Sequence, residues 1–187
     1  MSYQYILLYK PFGVLSQFSK ENPTNKTLSD CGTFLKNIYP VGRLDKDSEG
    51  LLLLTNDNGL KHKLTDPKFN HGRTYYVQVE GLLTIEKINL LSSGVVLKDG
   101  LTKKASVSNL DNPPILQPRI PAIRFRKNIP TSWMKIELKE GKNRQIRRMT
   151  ASVGLPTLRI VRVAIGNIWI ENMKPGEIRY LTKKDFT

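Results

Sequence analysis

The chain has 187 residues, with 30 Lys and Arg against 16 Asp and Glu, for a formal net charge of +14. That length suits one compact domain, and an apolar fraction of 39% with 25% charged residues excludes wholesale disorder. A single cysteine, Cys31, excludes an intramolecular disulfide framework and a cysteine-rich zinc site.

Residues 3–9 are apolar and aromatic and predict a strand, stopped by Lys10-Pro-Phe-Gly13. The N-terminus has no basic start before a long apolar run, so it is not a signal peptide. The longest aliphatic run, residues 51–54, is far too short to span a bilayer. The expected compartment is the cytoplasm, with no membrane partner. Residues 16–33 are polar and predict a loop with a short helix. Residues 51–55 predict a buried strand, and residues 60–64 a short helix capped from Asn56-Asp-Asn58. Residues 73–80 alternate cleanly, with Tyr75, Val77 and Val79 sharing one face.

Further along, residues 84–92 place Ile85, Ile88 and Leu91 at helical spacing before Gly94. Residues 95–97 and 102–110 predict strands joined through Asp99-Gly100. The four prolines of residues 112–121 mark a loop, the expected hinge between two lobes. Residues 133–140 alternate again. Asn143 is the expected cap of a helix running to Val153, and residues 158–165 predict a last strand with Leu158, Ile160 and Arg162 on one face. Hairpins outnumber regular strand–helix–strand units. The fold class expected is therefore α+β with a mixed, mainly antiparallel sheet.

Charge is unevenly placed. Residues 1–60 hold six bases and six acids, so the whole excess lies in residues 61–187. Residues 141–170 contain no acid but six bases: Lys142, Arg144, Arg147, Arg148, Arg159 and Arg162. Such asymmetry favours a polyanionic partner, nucleic acid being the commonest.

Two stretches carry chemistry. Gly42-Arg-Leu-Asp-Lys-Asp-Ser-Glu-Gly50 sets three carboxylates at alternate positions. An EF-hand is excluded, because the twelfth residue counted from Asp45 is Asn56, which has no carboxylate. A magnesium-holding nuclease cluster and a solvated acidic turn both remain open on the residues alone. The second stretch, Glu140-Gly-Lys-Asn-Arg-Gln-Ile-Arg-Arg-Met149, is a turn feeding a basic helix. Ile146, Met149 and Val153 make its apolar face and Arg147 borders that face. A buried arginine there requires an anionic partner.

These residues resemble a known family. Tyr39-Pro-Val-Gly-Arg-Leu-Asp-Lys-Asp-Ser-Glu-Gly-Leu-Leu-Leu-Leu-Thr-Asn-Asp-Asn-Gly59 is similar to the signature of RNA pseudouridine synthases, in the branch acting on ribosomal RNA. Lys10-Pro-Phe-Gly-Val-Leu15, Arg73-Thr-Tyr-Tyr-Val-Gln-Val79, Gly141-Lys-Asn-Arg-Gln-Ile-Arg-Arg-Met149 and Leu158-Arg-Ile-Val-Arg-Val-Ala-Ile-Gly166 agree in order, so the resemblance covers nearly the whole chain.

The resemblance implies a two-lobed pseudouridine synthase fold with a central cleft. It implies one catalytic domain over residues 1–187 without an N-terminal accessory RNA-binding domain. The implied activity is isomerisation of a uridine in ribosomal RNA of the large subunit. Alternatives are a tRNA or small-subunit RNA target, or an RNA-binding assembly factor without chemistry. The expected enzyme is monomeric and needs no cofactor or metal, since the isomerisation gains and loses no atom.

Residue by residue, the family's essential Asp matches Asp45. The tyrosine that stacks on the uracil matches Tyr75, with Arg73 where the family has Lys. The arginine paired with the catalytic carboxylate matches Arg147. Ile160 stands where the family more often has Leu against the base, and Arg43 lies at the pocket mouth. Lys142, Arg144, Arg148 and Arg162 are the expected contacts to the RNA backbone. Asp47 and Glu49 are expected to cap and orient the turn.

Overall fold

The computed structural model describes residues 2–186. In chain order the elements are β1 (Tyr5–Lys10), β2 (Tyr39–Pro40), β3 (Glu49–Thr55), α1 (Asn58–Thr65), β4 (Arg73–Glu80), α2 (Ile85–Ser93), β5 (Val96–Leu97), β6 (Gly100–Leu101), β7 (Ser106–Leu110), β8 (Thr131–Leu138), α3 (Gln145–Ser152), β9 (Thr157–Ile165), β10 (Ile168–Trp169) and β11 (Ile178–Leu181). The fold is α+β and dominated by strands, as expected. No helix among the described residues is long and apolar enough to cross a membrane.

The chain forms two compact units. The first joins the residues up to His71 to those from Arg162 onward; the second is Gly72–Val161. In the first unit the strand order is β11-β1-β3-β9. β1 pairs antiparallel with β3 from Tyr5 opposite Thr55 to Lys10 opposite Gly50. It also pairs with β11, with Leu8 opposite Ile178. Ile6, Leu8, Leu52 and Leu54 pack one face against Val14, Leu28 and Ile38. Leu7, Leu51 and Leu53 are buried on the other face. Burial on both faces explains why residues 51–54 form an unbroken leucine run rather than an alternating one.

α1 starts where the sequence placed its cap, with the Asp57 carboxylate accepting from the Leu60 N–H. That hydrogen bond comes first among the influences holding the Asp57 carboxyl below its usual range; the Tyr5 hydroxyl, which also donates to it, adds to them.

In the second unit the order is β9-β4-β8-β7. β4 and β8 pair antiparallel along their whole length, from Arg73 opposite Leu138 to Glu80 opposite Thr131. Val77, Val79, Met134, Ile136 and Leu138 form the core with Leu91 of α2, Ile146 and Met149 of α3, and Ile160 of β9. β9 thus serves each unit, Thr157–Val161 by residue count in the second and the remainder in the first.

Four local expectations change. β5 and β6 form a hairpin whose turn residues are Lys98 and Asp99, because Leu97 pairs with Gly100. Gly100 takes the positive φ of +98° inside that pair. Residues 106–110 do not continue the hairpin but pair with β8. Ile85 is 73% exposed, so α2 packs through Leu91 rather than through the whole predicted stripe. The proline-rich residues 112–121 lie inside the second unit, and the units divide at His71/Gly72 and Val161/Arg162 instead. A proline cluster marks irregular backbone, but where contacts cross is set by strand pairing.

Candidate functional site

The loop bearing Asp45 is held by its backbone. Ser16, itself buried, donates from Oγ to the Leu44 carbonyl at 2.8 Å and accepts from the Leu44 N–H at 3.0 Å. The Gly13 N–H donates to the Lys46 carbonyl at 2.8 Å, and the Ser48 N–H to the Asp45 carbonyl at 3.1 Å. Residues on both sides of Asp45 are therefore pinned, and Leu44 is anchored in the interior. Asp45 is half-buried while Arg43 and Lys46 are exposed. The carboxylate is presented from a rigid turn with a cation on either side in sequence.

Glu49 is buried as the first residue of β3 and Asp47 is half-buried. On the adjacent strand Lys10 is 0% exposed, and its ammonium donates to the carbonyls of Val14 at 2.7 Å and Pro11 at 2.9 Å. Burial pushes Lys10 down to about 8. Cys31, Glu49 and Asp47 oppose the shift and Arg162 adds to it.

An unfolded chain carries this lysine at its ordinary value of 10.5, so the unfolded state binds more protons between the two values. Stability contributed by Lys10 therefore rises with pH across that window. Against Lys10→Met, the parent is expected to gain on the order of 3 kcal/mol of unfolding free energy between pH 7 and 10.5. Urea denaturation of both proteins at each pH reads this directly.

Arg162 departs from its expected role. It is 3% exposed, inside the first unit, and its Nε donates to the Leu51 carbonyl at 2.7 Å. A guanidinium this buried, with its Nε on a strand carbonyl, is not at the surface where an RNA phosphate would meet it. On the face it shares by alternation, Leu158 is half-buried and Ile160 buried, so the face turns inward along the strand.

In the second unit β4 carries Tyr75 opposite Ile136, half-buried against the core to which Ile160 also belongs. α3 carries Arg147, half-buried beside the apolar residues Ile146 and Met149, as its position on the helix predicts. Asn143 is not the cap. Arg144 occupies that position with φ of +47°, and no side chain caps the helix. The turn is closed instead by buried Gln145, whose Oε1 accepts from the Lys142 N–H at 3.0 Å and whose Nε2 donates to Glu140 Oε1 at 2.6 Å. That same Glu140 oxygen accepts from the Lys103 N–H.

Two expected RNA-backbone residues are engaged within this unit. Arg148 donates both terminal nitrogens to the Asp99 carboxylate, at 2.6 and 3.0 Å. This bidentate pair holds the Asp99 carboxyl below its usual range. The Lys142 ammonium donates to the carbonyls of Asp99, Gly100 and Leu101, at 3.1, 3.2 and 3.1 Å. Lys142 and Arg148 thereby fasten the β5–β6 hairpin to the start of α3. Arg144 remains exposed. Sequence reasoning did not single out Ser16, Gln145 or Asp99. Their partners lie 28, 5 and 49 residues away; the local signals were the Gln-Ile-Arg stretch containing Gln145 and the turn at Asp99-Gly100, and neither named the partner.

Among the described residues, no group of three or more His, Cys, Asp or Glu side chains is arranged to hold a metal ion.

Comparison with known proteins identifies the family. The family model described as RNA pseudouridylate synthase matches residues 4–152. The chain is 51% identical over 175 residues to a protein of Xanthomonas campestris pv. campestris named ribosomal large subunit pseudouridine synthase E, covering 93% of each. It is 48% identical to a protein of the same name from Vibrio parahaemolyticus, covering 92% of this chain and 71% of that one. A Bacillus subtilis protein named ribosomal large subunit pseudouridine synthase B is 35% identical, with coverage of 95% and 68%. A crystal structure of a pseudouridylate synthase superposes with a TM-score of 0.81 at 26% identity, covering 98% of this chain and 72% of that one.

Proposed function

Because the chain belongs to the RNA pseudouridine synthase family, we propose that it converts a specific uridine of large-subunit ribosomal RNA into pseudouridine. The observation that carries the choice of RNA is the 51% identity, over 93% of both chains, to a protein named for the large subunit. In this reaction the N1–C1′ bond breaks, the uracil turns, and C5 joins C1′. The proton lost from C5 is balanced by one gained at N1.

In this reading Asp45 is the catalytic residue and acts at the sugar and base. The rigid turn supports that role, since a pinned backbone aims a carboxylate without an entropic cost on each turnover. Tyr75 stacks on the uracil, Ile160 contacts the base, and Arg43 lies at the mouth of the pocket. Arg147 is the ionic partner that keeps the reacting carboxylate charged. Arg144 contacts the RNA backbone. The enzyme works in the cytoplasm as a monomer.

The uridine must leave its stack to react, at a cost of a few kcal/mol, and phosphate contacts from the basic surface offset that cost.

Pseudouridine mapping of total RNA from cells with and without the gene tests the assignment. One large-subunit position is expected to lose its modification. Loss in tRNA or small-subunit RNA instead would overturn the choice of substrate, and no loss anywhere would overturn the activity. Arg147→Ala is expected to lower turnover by at least about 100-fold, as for removal of one electrostatic stabiliser, while affinity for RNA changes less than threefold, by rough expectation for one arginine held for chemistry. A pure affinity loss, read by single-turnover kinetics, would return Arg147 to the phosphate-binding set.

A further inference from the structure

One surface of the first unit lies outside the roles assigned above. Tyr39 is 52% exposed and Phe69 42% exposed. The Lys61 ammonium sits over the Tyr39 ring, 5.4 Å from its centroid, and the Lys68 ammonium over the Phe69 ring at 5.0 Å. His62 packs edge-on against Phe69, with ring centroids 6.3 Å apart. Lys63 is exposed on the same helix. The acid of this segment, Asp66, is engaged by Lys68 at 3.3 Å and by His62 at 3.5 Å.

This surface is continuous in the fold with the Asp45 turn. Tyr39 pairs with Thr55, and the chain reaches Gly42 three residues later. Gly42 abuts the end of α1, where the Thr65 methyl lies 3.9 Å from the position a side chain on Gly42 would take. Exposed Arg43 follows directly.

Exposed aromatic rings are costly to leave in water, and here each is accompanied by a cation. That combination suits single-stranded nucleic acid: bases stack on rings irrespective of sequence, and ammonium groups meet the phosphates between them. A protein partner would call for a continuous apolar patch, whereas this surface interleaves rings with charge of the sign that complements a phosphate chain.

We propose that Tyr39 and Phe69, with Lys61, Lys63 and Lys68, form a stacking platform for single-stranded RNA flanking the target uridine. The platform rests on the functional reading above and extends it from the reacting nucleotide to its neighbours. It holds the strand beside the turn that carries Asp45, so that extrusion of the uridine begins from RNA already unstacked.

The test uses unmodified large-subunit ribosomal RNA transcribed in vitro, with pseudouridine counted by nucleoside analysis and binding measured by filter retention. For Tyr39→Leu/Phe69→Leu, KM is expected to rise about tenfold, the loss of one to two stacked bases, and kcat is expected to fall by less than KM rises. For Lys61→Gln/Lys68→Gln, the slope of log(kcat/KM) against log[salt] is expected to flatten by about 1.4, two phosphate contacts on a single strand. Lys68 is exposed and Lys61 half-buried, and neither belongs to the core, so the second variant stands if the first folds poorly.

Unchanged KM and an unchanged salt slope overturn the platform. So does a loss confined to kcat, or a loss seen only with ribosomal particles and not with naked RNA, which would assign the surface to a protein. If the parent itself forms no pseudouridine in this RNA, the functional reading fails separately. The platform is then judged by filter retention of the same transcript, where a tenfold loss in the ring variant supports it and no loss overturns it.

Discussion

Asp45→Asn is expected to abolish pseudouridine formation while RNA affinity stays the same or tightens slightly. Asparagine matches aspartate in shape, and the turn depends on backbone bonds that the substitution leaves alone. The Ser16–Leu44 pair, the Gly13–Lys46 bond and the Ser48–Asp45 bond all use main-chain atoms or the Ser16 hydroxyl. What disappears is the charge. A neutral amide neither attacks an anomeric carbon nor accepts a proton at neutral pH, so turnover should fall by at least about 10⁴-fold.

The same loss removes one negative charge from a protein of net charge +14, and that cannot weaken binding to a polyanion. Pseudouridine-dependent chemical mapping of the RNA reads the activity, and filter retention reads the affinity. Activity within tenfold of the parent would remove Asp45 from the catalytic role. Lost affinity would mean that the turn had moved.

Gly50→Ala is expected to produce the largest loss of stability. Gly50 opens the leucine run of β3, opposite Lys10. A methyl group there would lie 2.2 Å from the Arg162 carbonyl oxygen and 2.8 Å from its nitrogen, both backbone atoms of the neighbouring strand. Its φ of +104° is also one that side-chain-bearing residues rarely adopt. Neither strand can give way, because both are buried along this stretch.

The cost should exceed about 4 kcal/mol, which for a chain of this size lowers Tm by roughly 10 °C or more. Gly13→Ala is the matched control. It too has a positive φ, +80°, but nothing lies within 4 Å of the added methyl. Its cost should stay near the backbone penalty of about 1–2 kcal/mol. Calorimetry of the two variants separates the steric term from the dihedral term. Equal losses would show that close approach to Arg162 is not what requires glycine at position 50.

Much of this molecule was legible in one dimension. The alternation of residues 73–80 identified β4 and put Tyr75 with Val77 and Val79. The Asn56-Asp-Asn58 cap signal located the start of α1, where the Asp57 side chain accepts a helix N–H, and the spacing of residues 84–92 located α2. The R-L-D-K-D-S-E-G stretch pointed to Asp45. These features depend on atoms a few residues apart, so local spacing is enough to reveal them.

Features that depend on partners far along the chain were not legible in this way. Arg148 and Lys142 were expected at the RNA backbone, and the hairpin 40 to 50 residues upstream supplies them with an acid and three carbonyls. Arg162 counted as surface charge until β9 took a place beside β3 and its side chain met Leu51, 111 residues away. The Asp99-Gly100 pair pointed to a turn that in the structure closes over Lys98 and Asp99, and long-range pairing with β8 decided that residues 106–110 belong elsewhere.

The family and the fold class follow from sequence, because short-range patterning and a long contiguous motif carry them, and the same motif singles out Asp45 as the carboxylate to test. Which of the many basic residues remain available to RNA was decided by tertiary structure. A charge is spent or left free according to what the folded chain brings within hydrogen-bonding distance, and composition does not contain that distance.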